Sequence, residues 1–183
     1  EDIIIIGNIG SGKSTFAKML VGLTKQDSGE IYINGTNTKN INIDDIRNNM
    51  IYIPQHPQLF NRTLWENITY GLTPEEIKKV SEEDIYKILT DLGMHDLLSK
   101  FKEKMHKNVG KGGSHLSGGQ KQVIWLLRCI YKNAEILIVD EPTNGLDPES
   151  KTQIINLLKF LKNKKTLLVI THDKDVLPVG DRV

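Results

Sequence analysis

The sequence predicts an α/β domain built on a mainly parallel sheet. Three observations lead there. Four short runs, residues 3–6, 50–53, 136–139 and 166–171, are dense in β-branched and other apolar residues, the composition of strands buried on both faces. Segments of helical character lie between them, as the crossovers joining parallel strands require. Each run is followed within two residues by Gly7, Gln55, Asp140 or His172, and the carboxyl ends of parallel strands share one edge, where ligands bind.

The bulk properties narrow the function classes. At 183 residues the chain can bury one sizeable core. Its net charge of +1 supplies no field for nucleic acid. The single cysteine, Cys129, cannot close an internal disulfide and falls in an apolar helical pattern. No apolar run approaches the roughly 20 residues that span a bilayer, so a membrane role needs an anchoring segment elsewhere.

Taken in order, the strand at 3–6 runs into Gly7-Asn8-Ile9-Gly10-Ser11-Gly12-Lys13-Ser14, and residues 15–22 read as a helix closed by Gly22. Strand, glycine loop, Lys-Ser and helix is the P-loop arrangement. Backbone N–H groups can wrap a β-phosphate, Lys13 can reach the β- and γ-phosphates, and the Ser14 hydroxyl can ligate Mg²⁺. Residues 30–33 alternate as a strand between turn signals. A helical turn is expected at 44–48, then the strand at 50–53, stopped by Pro54 and followed by Gln55. Residues 58–71 read as loop-rich, with Leu59, Phe60, Trp65 and Tyr70 as a satellite core or a docking surface for a partner helix. Asn67-Ile68-Thr69 matches a glycosylation sequon.

Ser81 starts a capped helix with Asp84 three residues on. A second short helix is expected at 95–101, a charged face at 100–107 and a flexible glycine-rich stretch at 108–114. Residues 72–115 therefore read as a helical insert outside the sheet. Leu116-Ser117-Gly118-Gly119-Gln120 places small residues before a helix expected at 119–132, the recipe for an anion site at a helix N-terminus. The strand at 136–139 ends in Asp140-Glu141. Two carboxylates there need a cation or a positioned water; Asp140 suits a Mg²⁺ shell and Glu141 a general base. Residues 142–148 form a turn containing Asp147, 149–161 an amphipathic helix, and the last strand delivers His172.

Together these residues resemble the nucleotide-binding domain of ABC ATPases, over essentially the whole chain, 1–183. The Walker A loop (Gly7 to Ser14), Gln55 as Q-loop, residues 116–120 as signature, residues 136–141 as Walker B, Asp147 of the D-loop and the switch histidine His172 occur in the family's order. The resemblance implies a P-loop NTPase core with a mainly parallel sheet, a partial antiparallel β-subdomain and a helical subdomain at about 72–115. It implies ATP and Mg²⁺ as cofactors. Gly7, Asn8, Ile9, Gly10, Ser11, Gly12, Lys13, Ser14 and Thr15 would bind nucleotide, and Ser14, Gln55 and Asp140 would bind the metal. Glu141, His172 and Gln55 would be catalytic. Ser117, Gly118, Gly119, Gln120 and Asp147 would meet the nucleotide of a second domain, so a head-to-tail homo- or heterodimer is implied.

Pro54-Gln55-His56-Pro57-Gln58-Leu59-Phe60 with Thr63 and Glu66-Asn67-Ile68, and Val109-Gly110-Lys111-Gly112-Gly113 as an X-loop, are similar to ABC exporters. The implied role is a transporter motor joined to a transmembrane domain outside this chain and facing the cytosol or an equivalent nucleotide-containing side. No nucleic-acid partner is expected. The alternatives are a soluble ABC-type ATPase in translation or DNA maintenance and a non-hydrolysing switch module. The sequence departs from the family at Asn8, Ile9, His115, Trp125 and Leu127. The adenine-stacking aromatic, the opening β-strands and the family's C-terminal elements are not in it, so a longer protein is expected.

Overall fold

A computed structural model describes residues 1–8 and 10–183. These fold as two compact units, residues 1–55, 133–142 and 165–183 in the first and residues 56–132 and 143–164 in the second.

The first unit is built on four parallel strands, β1 (Ile3–Ile5), β4 (Met50–Ile53), β5 (Ile136–Asp140) and β6 (Thr166–Ile170), in the order β1-β6-β5-β4. All four C-terminal ends therefore lie on one edge, as the sequence implies. Helix α1 (Lys13–Leu20) covers one face of this sheet. Ala17 and Val21 pack with Ile138 and Ile170, and Ile5, Met50, Tyr52, Ile136 and Leu168 surround them. Each fully buried isoleucine here contributes roughly 1.5–3 kcal/mol. Tyr52 is in register with Ile138, so Asp140, two residues further along β5, falls on the same face as Tyr52. Helix α2 (Ile43–Asn49), capped by Asn42, leads into β4.

The strand expected at 30–33 is shorter than the alternation suggests and has a partner the sequence reading missed. β2 (Tyr32–Ile33) pairs antiparallel with β3 (Thr36–Asn37). Asn34 and Gly35 between them both have positive φ, 49° and 78°, the backbone of a type I′ hairpin, for which an Asn-Gly pair is the sequence signal.

The second unit is helical. α3 (Leu64–Ile68) and α4 (Pro74–Ile77) each start in a capping box, Thr63 with Glu66 and Thr73 with Glu76. α5 (Glu82–Asp91) is capped by Ser81, and α6 (His95–Lys104) continues one turn beyond the expected 95–101. α7 (Gly118–Tyr131) and α8 (Pro148–Lys162) pack on each other. Residues 72–115, read as a helical insert, lie in this unit and hold α4, α5, α6 and a short 3-10 turn at Lys111–Gly113.

Two expectations are corrected here. Residues 58–71 are not simply a loop, because the Thr63–Glu66 box nucleates α3. Residues 108–114 are a pinned turn rather than a flexible stretch. Val109 is buried and its N–H donates to the Arg62 carbonyl at 3.0 Å, while the Gly110 N–H donates to Asn108 Oδ1 at 2.7 Å. The sequon asparagine is also structural. Asn67 is fully buried; its amide accepts from the Phe60 N–H (2.9 Å) and donates to the Phe60 and Thr63 carbonyls (3.0 and 2.9 Å). Its carbonyl accepts from Arg128 Nε at 2.7 Å. The Arg128 guanidinium lies 4.3 Å from the Trp125 ring and 5.3 Å from Tyr70. Burial pushes its pKa down to about 10, so it remains charged at neutral pH. No helix among the described residues is long and apolar enough to cross a membrane.

Candidate functional site

At the strand-end edge of the first unit, β1 gives way to the glycine loop, which reaches α1 through Gly12 at φ 90°. The Ser11 N–H donates to the Asn8 carbonyl at 3.2 Å and tightens the turn. Lys13 Nζ donates back to the Gly7 and Asn8 carbonyls at 2.7 and 2.9 Å, with Ser11 Oγ at 3.5 Å. The ammonium is thus held at the loop by surface bonds that phosphate oxygens can replace, since charge-assisted bonds are the stronger ones. Ser14 is half-buried and Thr15 exposed in the first turn of α1. Ile9 lies outside the described residues.

On the neighbouring strand end, Asp140 is 2% exposed. Its Oδ2 accepts the Tyr52 hydroxyl proton at 2.8 Å, and its Oδ1 is buried with no hydrogen-bond donor among the described residues. Burial, then the bond to Asp140, pushes the Tyr52 phenol well above the usual tyrosine range, so Tyr52 stays a donor. A buried carboxylate oxygen with no donor is costly, and a hard cation or a water bound to one would satisfy it. The hydroxyl of Ser14, the amide of half-buried Gln55 and this carboxylate are the oxygen ligands that Mg²⁺ takes. The residues present therefore fit that ion.

Glu141 follows Asp140 with φ 47°, the left-handed region, which non-glycine residues adopt at a cost of about 1–3 kcal/mol. Contacts with two residues hold it there. Its N–H donates to the Ile170 carbonyl at 2.8 Å, and its Oε2 lies 2.8 Å from His172 Nδ1 and 3.3 Å from the His172 N–H. The Glu141 side chain is 11% exposed and that of His172 50% exposed. A donor proton on Nδ1 leaves Nε2 of a neutral ring as an acceptor.

The second unit carries the other predicted residues. Ser117 caps α7 in a reciprocal box. Its Oγ accepts from the Gln120 N–H at 3.3 Å, and Gln120 Oε1 accepts from the Ser117 N–H at 3.1 Å. The helix starts at Gly118 rather than Gly119. Ser117 and Gly118 are exposed, but Gly119 is buried. A Cβ on Gly119 would sit 2.8 Å from both Cβ and Oγ of Ser150. Asp147 in turn caps α8, its Oδ1 accepting from the Ser150 N–H at 3.0 Å, a bond that holds its carboxyl below the usual range. Residues 117–120 and Asp147 are thereby joined through Ser150.

The first unit brings together Gly7, Asn8, residues 10–15, Gln55, Asp140, Glu141 and His172; the second brings together residues 117–120 and Asp147. Sequence reasoning missed Tyr52 and Ser150. Both are ordinary strand and helix residues, and only strand register and helix packing reveal them.

Residues 1–144 match the family model described as ABC transporter. The ATP-dependent lipid A-core flippase of Francisella novicida is 32% identical over 183 residues, 100% of this chain and 30% of that protein. The ABC transporter B family member 24, mitochondrial, of Arabidopsis thaliana is 34% identical over 172 residues, 94% of this chain and 25% of that protein. A solved structure described as a bacterial Atm1-family ABC exporter with ATP bound superposes with a TM-score of 0.83 at 27% identity, over 98% of this chain and 31% of that one. The chain thus spans 25–31% of the length of these proteins. Similarity that runs from the first strand past the acidic strand end, in both sequence and backbone, means that the chain belongs to the ABC transporter family.

Proposed function

We propose that this chain is the ATP-binding and ATP-hydrolysing motor domain of an exporter-type ABC transporter. The observation that carries the reading is the Glu141–His172 pair beside Asp140, on the same sheet edge as the Lys13 loop. The flippase and exporter named above support the transporter class over a soluble ATPase.

Backbone N–H groups of the loop and the first turn of α1 hold the phosphates, and Lys13 exchanges the Gly7 and Asn8 carbonyls for phosphate oxygens. Ser14, Gln55 and Asp140 are the residues that would hold Mg²⁺, directly or through its water, and the ion would supply charge neutralisation at the phosphates. Glu141 accepts the proton of a water whose oxygen bonds to the γ-phosphorus as the bond to the ADP oxygen breaks. His172 holds Glu141 in place. Ser117, Gly118, Gly119, Gln120 and Asp147 act on the nucleotide of a second such domain, in a homo- or heterodimer. Closure and opening of that dimer drive a transmembrane domain outside residues 1–183, with this domain on the nucleotide-containing side of the membrane.

Phosphate release from the full-length protein tests the reading. Glu141→Gln is expected to lose at least about 100-fold in turnover while retaining an ATP-bound dimer, and Lys13→Ala to lose nucleotide binding. Turnover at the native rate in Glu141→Gln overturns it.

A further inference from the structure

We infer that the second unit carries a binding site for a small organic phosphate, set between α6 and residues 107–116 and separate from the Lys13 loop. A cavity of about 180 Å³ opens there. Its apolar wall includes Leu64, Phe101 and Val109, each at most 4% exposed. Its polar lining is Lys100, Lys104, Lys107, Asn108, His115 and Gln120, with no carboxylate among them. The inference does not depend on the ATPase reading, in which none of these lysines takes part.

The lining says what the cavity takes. Asn108 Oδ1 accepts the Gly110 N–H at 2.7 Å, and Gln120 Oε1 accepts the Ser117 N–H at 3.1 Å. Both amides thus spend their oxygens on backbone and keep N–H groups to give. Lys100 and Lys104 sit one turn apart on α6, where like charges repel. Glu103 pairs with Lys107 at 3.2 Å, and neither Lys100 nor Lys104 has an ion-pair partner among the described residues. The helix dipole favours Lys104 in the last turn of α6 but gives no reason for Lys100. An anion between the two ammonium groups relieves their repulsion. A phosphate brings up to two charges and three acceptor oxygens, which suits a set of donors, and lysine binds it as a point charge. The three lysines are exposed, so the phosphate sits at the mouth and a carbon body lies against the apolar wall. A cavity of about 150 Å³ takes benzene, so this one has room for a single ring. The ligand class is therefore an aryl phosphate monoester.

The test is calorimetric titration of phenyl phosphate into the full-length protein, with excess non-hydrolysable ATP analogue present to fill the Lys13 loop. Saturable binding is expected. Combining Lys100→Gln with Lys104→Gln should weaken it about tenfold. Lys102→Gln, on the same helix but outside the cavity lining, should leave it unchanged. Phenol and inorganic phosphate should each bind at least about tenfold more weakly, since each lacks one half of the match. An unchanged thermal midpoint reports an intact fold in each variant. Absence of saturable binding, or wild-type affinity in the double variant, overturns the inference. An equal loss in Lys102→Gln reduces the effect to overall charge and overturns it as well. Inorganic phosphate as tight as phenyl phosphate overturns the organic ligand, and phenol as tight overturns the anion.

Discussion

His172 reaches one oxygen of Glu141 twice, through Nδ1 at 2.8 Å and through its backbone N–H at 3.3 Å. Because Glu141 sits at φ 47°, this pair restrains a strained residue. His172→Ala removes the side-chain contact and keeps the backbone one. The expected result is a fall of about 10²–10³-fold in kcat for ATP hydrolysis with a much smaller change in KM. Steady-state phosphate release measures both, and an unchanged kcat shows that the pair is not used in turnover.

Gly119 lies where a methyl group would meet Ser150 at 2.8 Å. Gly119→Ala is expected to destabilise the protein by about 1–3 kcal/mol through overpacking. Adding Ser150→Gly should return part of that loss, because it removes both clashing atoms. Urea unfolding of the single and double variants gives the coupling. Additive effects would show that the two helices do not touch here.

Arg128 joins the Asn67 carbonyl to the rings of Trp125 and Tyr70. Arg128→Ala is expected to cost about 2–4 kcal/mol, from an unpaired buried carbonyl and lost stacking. Arg128→Lys should recover little, since a compact ammonium cannot lie flat on a ring and serve Asn67 as well. Chemical denaturation checks both; a Lys variant as stable as the native protein would mean that charge alone matters.

The Tyr131 hydroxyl is buried without a hydrogen-bond partner among the described residues, and burial, then the Asp84 charge, pushes its pKa up to about 12. The unfolded chain releases this proton near the ordinary value of about 10, so the folded state binds more protons in between. Stability present below about pH 10 is therefore lost as pH rises toward 12. Tyr131→Phe should gain about 1 kcal/mol at neutral pH by deleting the unpaired group and flatten the alkaline loss. Thermal unfolding between pH 7 and 11.5 measures both, and a destabilised variant would reveal a partner for the hydroxyl.

What the sequence by itself determined is the order of elements and the chemistry at their ends. Apolar runs ending at Gly7, Gln55, Asp140 and His172 imply parallel strands with ligand groups on one edge, because burial on both faces and crossover connections leave few other arrangements. A capping signal was also present in Thr63 with Glu66, inside a segment whose scattered apolar residues read as loop, and the turn signal after residues 30–33 did not by itself name β3 as the partner strand.

Only the tertiary structure decided which distant side chains meet. Tyr52 and Asp140 are 88 residues apart, and their contact follows from the register of β4 on β5, which no local pattern encodes. The same holds for Asn67 with Arg128 and for Gly119 with Ser150. Each is an ordinary residue of its own helix or strand. Its role comes from the packing of one element on another, where a buried polar group must find a partner and a glycine must leave room.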